Sequence, residues 1–155
     1  MTTASTGHLN TTTLRSREEA IVATFAELDD WEERYRAIIA RGRDLESLPD
    51  DLKTNKLKVQ GCQSQVWLHA KLTSEGKIHF RADSDAMIVR GLIAMLLEVY
   101  SDATPTEILA TEPTFIAKIG LESHLSPTRT NGIRSMLEQM FYYAKVFQTI
   151  AQTRA

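Results

Sequence analysis

The chain has 155 residues and a formal charge of −2, with 43% apolar and 25% charged residues. This balance is typical of one globular domain with one hydrophobic core. The near-neutral charge argues against a nucleic-acid binder, because neutralising phosphates requires a basic surface. No run of apolar residues reaches the length of a membrane span. The single cysteine, Cys62, excludes an intrachain disulfide, a zinc site with two thiolates and an internal dithiol redox cycle.

The N-terminal part of the chain is predicted to be an arm followed by two helices. Residues 1–17 contain six threonines and no acidic residue, which predicts a flexible arm ahead of a single domain over 18–155. The helical spacing of apolar residues predicts one helix over 18–29 and another over 31–42. The arm lacks the apolar region of a signal peptide, so we expect a cytoplasmic, reducing compartment.

The middle of the chain has the chemistry of a β-hairpin. Residues 65–73 alternate between apolar and polar side chains, and residues 74–76, Ser-Glu-Gly, have the form of a three-residue hairpin loop. Residues 56–59 are candidates for a short third strand. The turn predicts an antiparallel register that places three apolar pairs on one face: Leu72 with Ile78, Ala70 with Phe80, and Leu68 with Ala82.

The C-terminal half is predicted to be mainly helical. Polar residues at 83–85 would cap a buried central helix over 86–100. Two proline-led turns open short helices after it, and the longest helix follows over about 130–152. The predicted fold class is therefore α+β. A small antiparallel sheet of two or three strands, with its hairpin at about 65–83, packs against N- and C-terminal helices and the central helix.

Cys62 is the first candidate for a functional residue. It lies just before the predicted first strand, with Gly61 ahead of it and the polar residues Gln63 and Ser64 behind it. A lone cysteine is more often a small buried apolar residue than a nucleophile. Glycine and polar neighbours instead indicate a loop tip, where functional side chains concentrate. From the residues alone, the two interpretations are equally supported.

The other candidates are histidines and one arginine. A Cys62 nucleophile would need a base within hydrogen-bond distance, and the spacing of the four histidines gives no support for such a pair. His69, His79 and Asp83 could together bind a metal, but a solvated polar face is the better interpretation of a half-buried hairpin, so no metal site is predicted. Arg129, in the turn before the last helix, is either a surface cation or a contact for a partner or an anion.

Four separated motifs carry a family resemblance. The strongest is Gly61-Cys62-Gln63-Ser64-Gln65-Val66-Trp67-Leu68, and the other three lie at 48–53, at 83–92 and at 124–129 ahead of Gly132. Together they resemble the SufE family of sulfur-acceptor proteins, which assist cysteine desulfurases. The first motif is similar to the active-loop signature of that family, and its residues after the cysteine are closer to SufE than to its paralogue CsdE.

The resemblance implies a carrier of persulfide sulfur, which is a partner of an enzyme and not itself one. In that role Cys62 accepts sulfur from a SufS-like, pyridoxal-phosphate-dependent cysteine desulfurase and stimulates it. The sulfur then passes to iron–sulfur cluster assembly on a SufB-like scaffold. By motif matching, Gly61, Gln63, Asp85 and Arg129 would contact the desulfurase. The pyridoxal phosphate belongs to that partner, so no cofactor is expected on this chain, and the fold is expected to be similar to that of IscU.

Two other functions remain open at this point. An IscU-like cluster scaffold is disfavoured because cluster ligation normally uses several thiolates. A structural adaptor would carry an inert Cys62 with an ordinary pKa. A carrier should instead shelter Cys62 against apolar surface when alone and expose it on docking, since a persulfide is easily oxidised or reduced. Homodimerisation, and the choice between a SufS-like and a CsdA-like desulfurase, are left open by the sequence.

Overall fold

A computed structural model describes the backbone of residues 4–154 and the side chains of residues 13–151. In this part of the chain no helix is long and apolar enough to cross a bilayer. The elements confirm the predicted α+β class, and a short 3-10 turn at Asp50–Leu52 precedes the first strand. In chain order the elements are α1 (Ala4–Ala26), α2 (Trp31–Asp44), β1 (Val66–Leu72), β2 (Ile78–Ser84), α3 (Met87–Tyr100), α4 (Pro105–Ala110), α5 (Thr114–Lys118), α6 (Leu121–His124) and α7 (Pro127–Arg154).

The hairpin has the register that alternation and the turn predict. Leu72 lies opposite Ile78, Ala70 opposite Phe80, and Leu68 opposite Ala82. The predicted third strand is reduced to one isolated bridge between Lys58 and Trp67, so the sheet within residues 4–154 has two strands. One face of the hairpin is apolar and packs into the helical core. The apolar residues share that face because alternate side chains of a strand point to the same side of the sheet.

Helix α1 begins well before the predicted start of the first helix. The predicted boundary between a flexible arm and the domain, at residue 18, falls inside α1. Leu14 is fully buried, and the Arg17 guanidinium donates hydrogen bonds to the carbonyl oxygens of Val99 and Ser101 at 3.0 and 2.8 Å. Residues 13–17 therefore belong to the packed structure, because two side chains in a threonine-rich segment make contacts that composition does not reveal. Residues 1–3 lie outside the described residues.

The start of α3 also differs from the prediction. Asp83 and Ser84 belong to β2, and the residue before the helix is Ala86, which makes no side-chain cap. The Asp83 carboxylate is instead buried, and it pairs with Arg90 of α3. A polar run before an apolar helix predicts a cap, but here tertiary ion pairing uses the carboxylate that the cap would need.

Helices α2 and α3 cross in close contact at two glycines. A Cβ at Gly42 would lie 2.8 Å from the backbone nitrogen of Gly91, and a Cβ at Gly91 would overlap the carbonyl oxygen of Ile38. Helix backbones approach this closely only where side chains are missing. The crossing sets the position of α3, and α3 forms one wall of the site described below.

We expect Gly91→Ala to destabilise the protein although alanine is the better helix former. The added methyl group meets backbone atoms, and over-packing of this kind costs about 1–3 kcal/mol or more. Thermal unfolding is therefore expected at a lower temperature, by roughly 2–4 °C per kcal/mol for a chain of this size. Gly132→Ala is the matched control, because its Cβ would meet only the Cys62 sulfur at 3.7 Å. An unchanged melting temperature for Gly91→Ala would contradict the close crossing.

Candidate functional site

Cys62 lies on a loop that is tied down at both ends. At the base of the loop the backbone N–H of Val59 donates to the carbonyl oxygen of Val66 at 2.8 Å. Further along, the Asp85 carboxylate accepts a hydrogen bond from the Gln65 N–H at 3.0 Å, and the Asp85 N–H donates to the Gln65 carbonyl at 3.3 Å. The loop over 60–65 is thereby held between the hairpin and the start of α3, with Cys62 near its tip.

The sulfur of Cys62 is half-buried and turned toward α7. The thiol donates a weak hydrogen bond to the Gly132 carbonyl oxygen, with Sγ 3.8 Å away. Burial raises the pKa of the Cys62 thiol, because desolvation disfavours the thiolate. In this position the sulfur is therefore held as the protonated, weakly nucleophilic thiol.

A small cavity of about 40 Å³ lies next to the Cys62 sulfur. Polar residues line its mouth, among them Gln63, Thr128 and Arg129. Its inner wall is apolar and consists of Val66 from β1, Val89, Leu92, Ile93 and Leu96 from α3, and Ile133 and Met136 from α7. An apolar cavity of this size gives water few polar partners, so it can shield a reactive sulfur group from water-borne reagents.

The residues that the motifs assign to partner binding do not all have the same position. Gln63 and Arg129 are exposed and lie at the cavity mouth with Cys62. Gly61 is exposed with a φ of 89°, a left-handed conformation that glycine adopts without strain. Asp85 is exposed as well, but its carboxylate and N–H are both used to hold Gln65. Asp85 therefore orients the loop in addition to facing solvent.

Two residues of α7 that sequence reasoning did not assign to the site contact the loop. Gly132 faces the Cys62 sulfur, and a Cβ on Gly61 would lie 2.6 Å from Oγ of Ser135. Two signals pointed to Gly132: its place just after the fourth motif, and its position within a helical pattern, where glycine is costly and needs a reason.

No described histidine is placed to act as a base for Cys62. His79 pairs with Asp102 through its Nδ1, at 2.8 Å from Oδ1, and His124 stacks on Trp31 with 4.0 Å between ring centroids. His69 lies opposite Arg81 in the hairpin register. Of the histidines whose side chains the structure describes, none lines the cavity beside Cys62. The side chain of His8 lies outside the described residues.

The alternative of a metal site at His69, His79 and Asp83 does not form either. Asp83 is bound instead to Arg90 and Lys53, and the described residues contain no group of three or more potential ligands close enough to hold a metal. Burial first, and then the nearby charges of the hairpin face, lower the pKa of His69 and so disfavour protonation of its ring. The polar face of the hairpin is partly exposed, and His79 is bound there to Asp102.

The raised pKa of Cys62 makes a direct prediction about its reactivity. We expect iodoacetamide to alkylate Cys62 with a pH midpoint that is higher in the folded protein than in the same protein unfolded in urea. The reason is that only the thiolate reacts, and burial delays its formation until higher pH. Rates measured between pH 6 and pH 10 test this, and a folded midpoint equal to or below the unfolded one would contradict it.

The fold and the site together define a class of protein, namely an α+β domain with one cysteine on a tied loop over an apolar cavity. A family model described as SufE, Fe-S metabolism associated domain, matches residues 19–144. The chain belongs to the SufE family. The resemblance carried by the four motifs is therefore confirmed.

Individual relatives agree with this assignment. An uncharacterized SufE-like protein of Rhizobium meliloti is 43% identical over 126 residues, covering 79% of this chain and 90% of the relative. Another from Rhizobium etli is 46% identical over 132 residues, covering 83% and 89%. The sulfur acceptor protein CsdE of Escherichia coli is 37% identical over 140 residues, covering 90% and 94%. This chain is thus a member of the SufE/CsdE family of sulfur acceptors.

A solved structure has the same fold. The solution structure of a hypothetical protein from Thermus thermophilus superimposes with a TM-score of 0.71, covering 86% of this chain and 96% of that one. The two sequences are 21% identical, so the match concerns the arrangement of helices and hairpin.

Proposed function

We propose that this protein accepts persulfide sulfur from a SufS-like cysteine desulfurase on Cys62 and passes it on to iron–sulfur cluster assembly. One observation carries the proposal: in a chain of the sulfur-acceptor family, the single thiol lies on a tied loop directly over an apolar cavity. A structural cysteine needs neither a loop tip nor a cavity. A carrier needs both, because its sulfur must reach a partner and then be kept from water.

The chemistry requires one thiol and no bound group on this chain. The Cys62 thiolate attacks the outer sulfur of a persulfide on the desulfurase. The new S–S bond forms on Cys62 as the S–S bond of the desulfurase breaks, and the desulfurase cysteine leaves as a thiolate that takes up a proton. The exchange follows the rules of thiol–disulfide exchange and consumes no external oxidant or reductant. Cys62 thereby becomes a persulfide.

Transfer needs the loop to move, since the thiol now points at the Gly132 carbonyl and is held protonated. Docking on the desulfurase would expose Cys62 and replace apolar surroundings with water and partner groups, which lowers the cost of forming the thiolate. Amide exchange over residues 59–65 should therefore become faster when the desulfurase binds. Equal protection with and without it would count against a moving loop.

The exposed Arg129 is proposed to pair with an acidic group of the desulfurase. We do not propose that Arg129 lowers the pKa of Cys62, because the pKa of that thiol is raised, and burial is the cause. We expect Arg129→Ala to weaken desulfurase binding by up to about fivefold, as for an exposed ion pair, and to leave the alkylation rate of Cys62 unchanged. Titration calorimetry and iodoacetamide kinetics measure the two effects. Unchanged affinity would remove this role.

The presence of a single thiol also limits what this chain can do with the sulfur after Cys62 has accepted it. Cluster ligation normally uses several thiolates, so this chain is proposed to hand its sulfur to a separate SufB-like scaffold and not to build a cluster itself. A reducing, cytoplasmic compartment suits such a carrier, because a free thiol is maintained there.

Desulfurase turnover tests the proposed function. The protein is added to a SufS-like desulfurase with free cysteine, and the alanine released is measured. We expect a several-fold increase, because removal of the persulfide frees the desulfurase cysteine for the next cycle. Protein alkylated at Cys62 is the control and should give no increase. A CsdA-like desulfurase run in parallel identifies the preferred partner, and no increase with either enzyme would contradict the proposal.

A further inference from the structure

The Cys62 loop rests on two small residues of α7 that are one helical turn apart. Gly61 faces Ser135, whose Oγ would be 2.6 Å from a Cβ at that glycine, and Cys62 faces Gly132 through its sulfur. Residues three apart in a helix lie on the same face, so Gly132 and Ser135 together form the surface that supports the loop.

Gly132 is unusual among the helix-interior glycines of the described residues. Gly42 and Gly91 are required by the backbone contact of α2 and α3, whereas a Cβ at Gly132 would meet only the Cys62 sulfur, at 3.7 Å. Gly132 is also absent from the glycines with positive φ, so its backbone conformation suits any residue. Glycine is costly in a helix interior, and among the described residues only the Cys62 sulfur comes within 4 Å of the position of its missing side chain.

The space beside Gly132 is larger than a thiol needs. The thiol already fits at 3.8 Å from the Gly132 carbonyl, yet the cavity next to it has a further volume of about 40 Å³. One water-sized atom requires about 10–15 Å³ measured in this way. A persulfide extends the side chain by one sulfur atom, about 2 Å along the S–S bond. The cavity can therefore take that additional atom.

We infer that Gly132 is a positioning residue that leaves room for the outer sulfur of a Cys62 persulfide, so that the loop closes over the loaded carrier as well as over the free thiol. The inference rests on the proposed function and adds the residue that controls protection of the sulfur. With the outer sulfur inside the cavity, a soluble thiol reaches it only when the loop opens. The bare helix backbone at Gly132 thus sets the lifetime of the carried sulfur.

Two substitutions separate the thiol from the persulfide. In Gly132→Ala the methyl group is in ordinary contact with the thiol sulfur but occupies space that the outer sulfur needs. In Gly132→Val the larger side chain competes with the thiol itself. Asn131→Val is the control, because it places the same β-branched residue on an exposed position of the same helix turn. Circular dichroism and thermal unfolding verify that each variant is folded.

The first measurement is alkylation of Cys62 by iodoacetamide in the protein alone, where the sulfur displaces iodide. Gly132→Ala and Asn131→Val should react within about twofold of the unsubstituted protein, and Gly132→Val about tenfold faster, since an over-packed contact shifts the loop equilibrium by about that factor. The second measurement loads each protein with a desulfurase and cysteine, removes both, and follows the loss of the persulfide in dithiothreitol by intact mass. Dithiothreitol breaks the S–S bond, releases sulfide, restores the Cys62 thiol and is oxidised to its cyclic disulfide.

The persulfide of Gly132→Ala should be lost about tenfold faster than that of the unsubstituted protein, while its thiol reacts normally. A glycine needed only for folding would not produce this split between the two forms. Equal persulfide lifetimes in the two proteins, or an unchanged alkylation rate in Gly132→Val, would overturn the inference and leave the proposed function standing. If the unsubstituted protein never gains sulfur, the proposed function fails and the role of Gly132 toward the persulfide fails with it. The alkylation rates of the variants then test only whether the side chain at position 132 contacts the Cys62 thiol.

Discussion

Replacing Cys62 with serine is expected to abolish the increase in desulfurase turnover while leaving the fold and the binding of the desulfurase intact. A serine hydroxyl is not ionised near neutral pH and does not attack a persulfide sulfur, whereas a thiolate does. The hydroxyl is close in size to the thiol and retains a donor for the Gly132 carbonyl. The free energy of unfolding should therefore change by about 1 kcal/mol or less.

The Cys62→Ser measurement has a neighbouring control. Ser64→Ala changes a half-buried residue that also lines the cavity mouth, and it should keep most of the stimulation. Alanine release and desulfurase affinity are measured for both variants. Because Cys62→Ser is expected to dock on the desulfurase, it should also compete with the unsubstituted protein. Full stimulation by Cys62→Ser would show that the thiol is not the acceptor.

The second large effect is expected from Asp83, whose buried carboxylate holds together the segments around the end of β2. It accepts hydrogen bonds from the N–H groups of Leu48 and Ser84 at 2.9 and 2.8 Å. It also pairs with Arg90 and lies 3.5 Å from Nζ of Lys53. Asp83→Ala removes the carboxylate that pairs with the Arg90 guanidinium, and breaking a buried ion pair from one side costs about 3–5 kcal/mol. We expect a correspondingly lower midpoint of urea unfolding.

Asp50→Ala is the control for this variant, because its fully exposed carboxylate also approaches Lys53 but is surrounded by water. It should leave the urea midpoint almost unchanged. Equal stabilities of Asp83→Ala and the unsubstituted protein would contradict the role given to the buried carboxylate.

The contribution of Asp83 to the free energy of unfolding should decrease at low pH. Burial alone would raise the pKa of this carboxyl, but the N–H groups of Leu48 and Ser84, together with Arg90 and Lys53, hold it below its usual value. The stabilisation is therefore complete above the unfolded pKa, which is about 3.9, and is lost as the pH falls through the folded value. The difference in stability between Asp83→Ala and the unsubstituted protein should shrink below about pH 4.

The local sequence pattern was enough to predict the hairpin and the cross-strand pairs of apolar residues on its core-facing side. The alternation over 65–73 and the turn at Gly76 determine one register, since a shift by one residue would turn every apolar side chain to solvent. The N-terminal extension of α1 was not predictable in this way. It depends on Leu14 and Arg17 contacting residues that are distant in sequence, such as Val99.

The functional site also combines features that the local sequence predicts with features that depend on contacts between distant parts of the chain. Cys62 and its polar neighbours stand out in the sequence as a loop tip, and the motif resemblance identified their family. Gly132 and Ser135 reach the loop only because α7 packs beside β1, about 70 residues further along the chain. The cavity likewise combines β1, α3 and α7. The spacing of residues in the sequence predicts which residues are neighbours within one helix or strand. It contains little information on contacts between different helices and strands.

The intact mass of the protein tests the central claim most directly. It is recorded after incubation with a SufS-like desulfurase and free cysteine in the absence of reductant. A gain of one or more sulfur atoms is expected, located at Cys62 by peptide mapping, removed by dithiothreitol and absent from Cys62→Ser. No gain in mass, while the desulfurase itself carries a persulfide, would contradict a sulfur carrier and leave Cys62 as a packing residue.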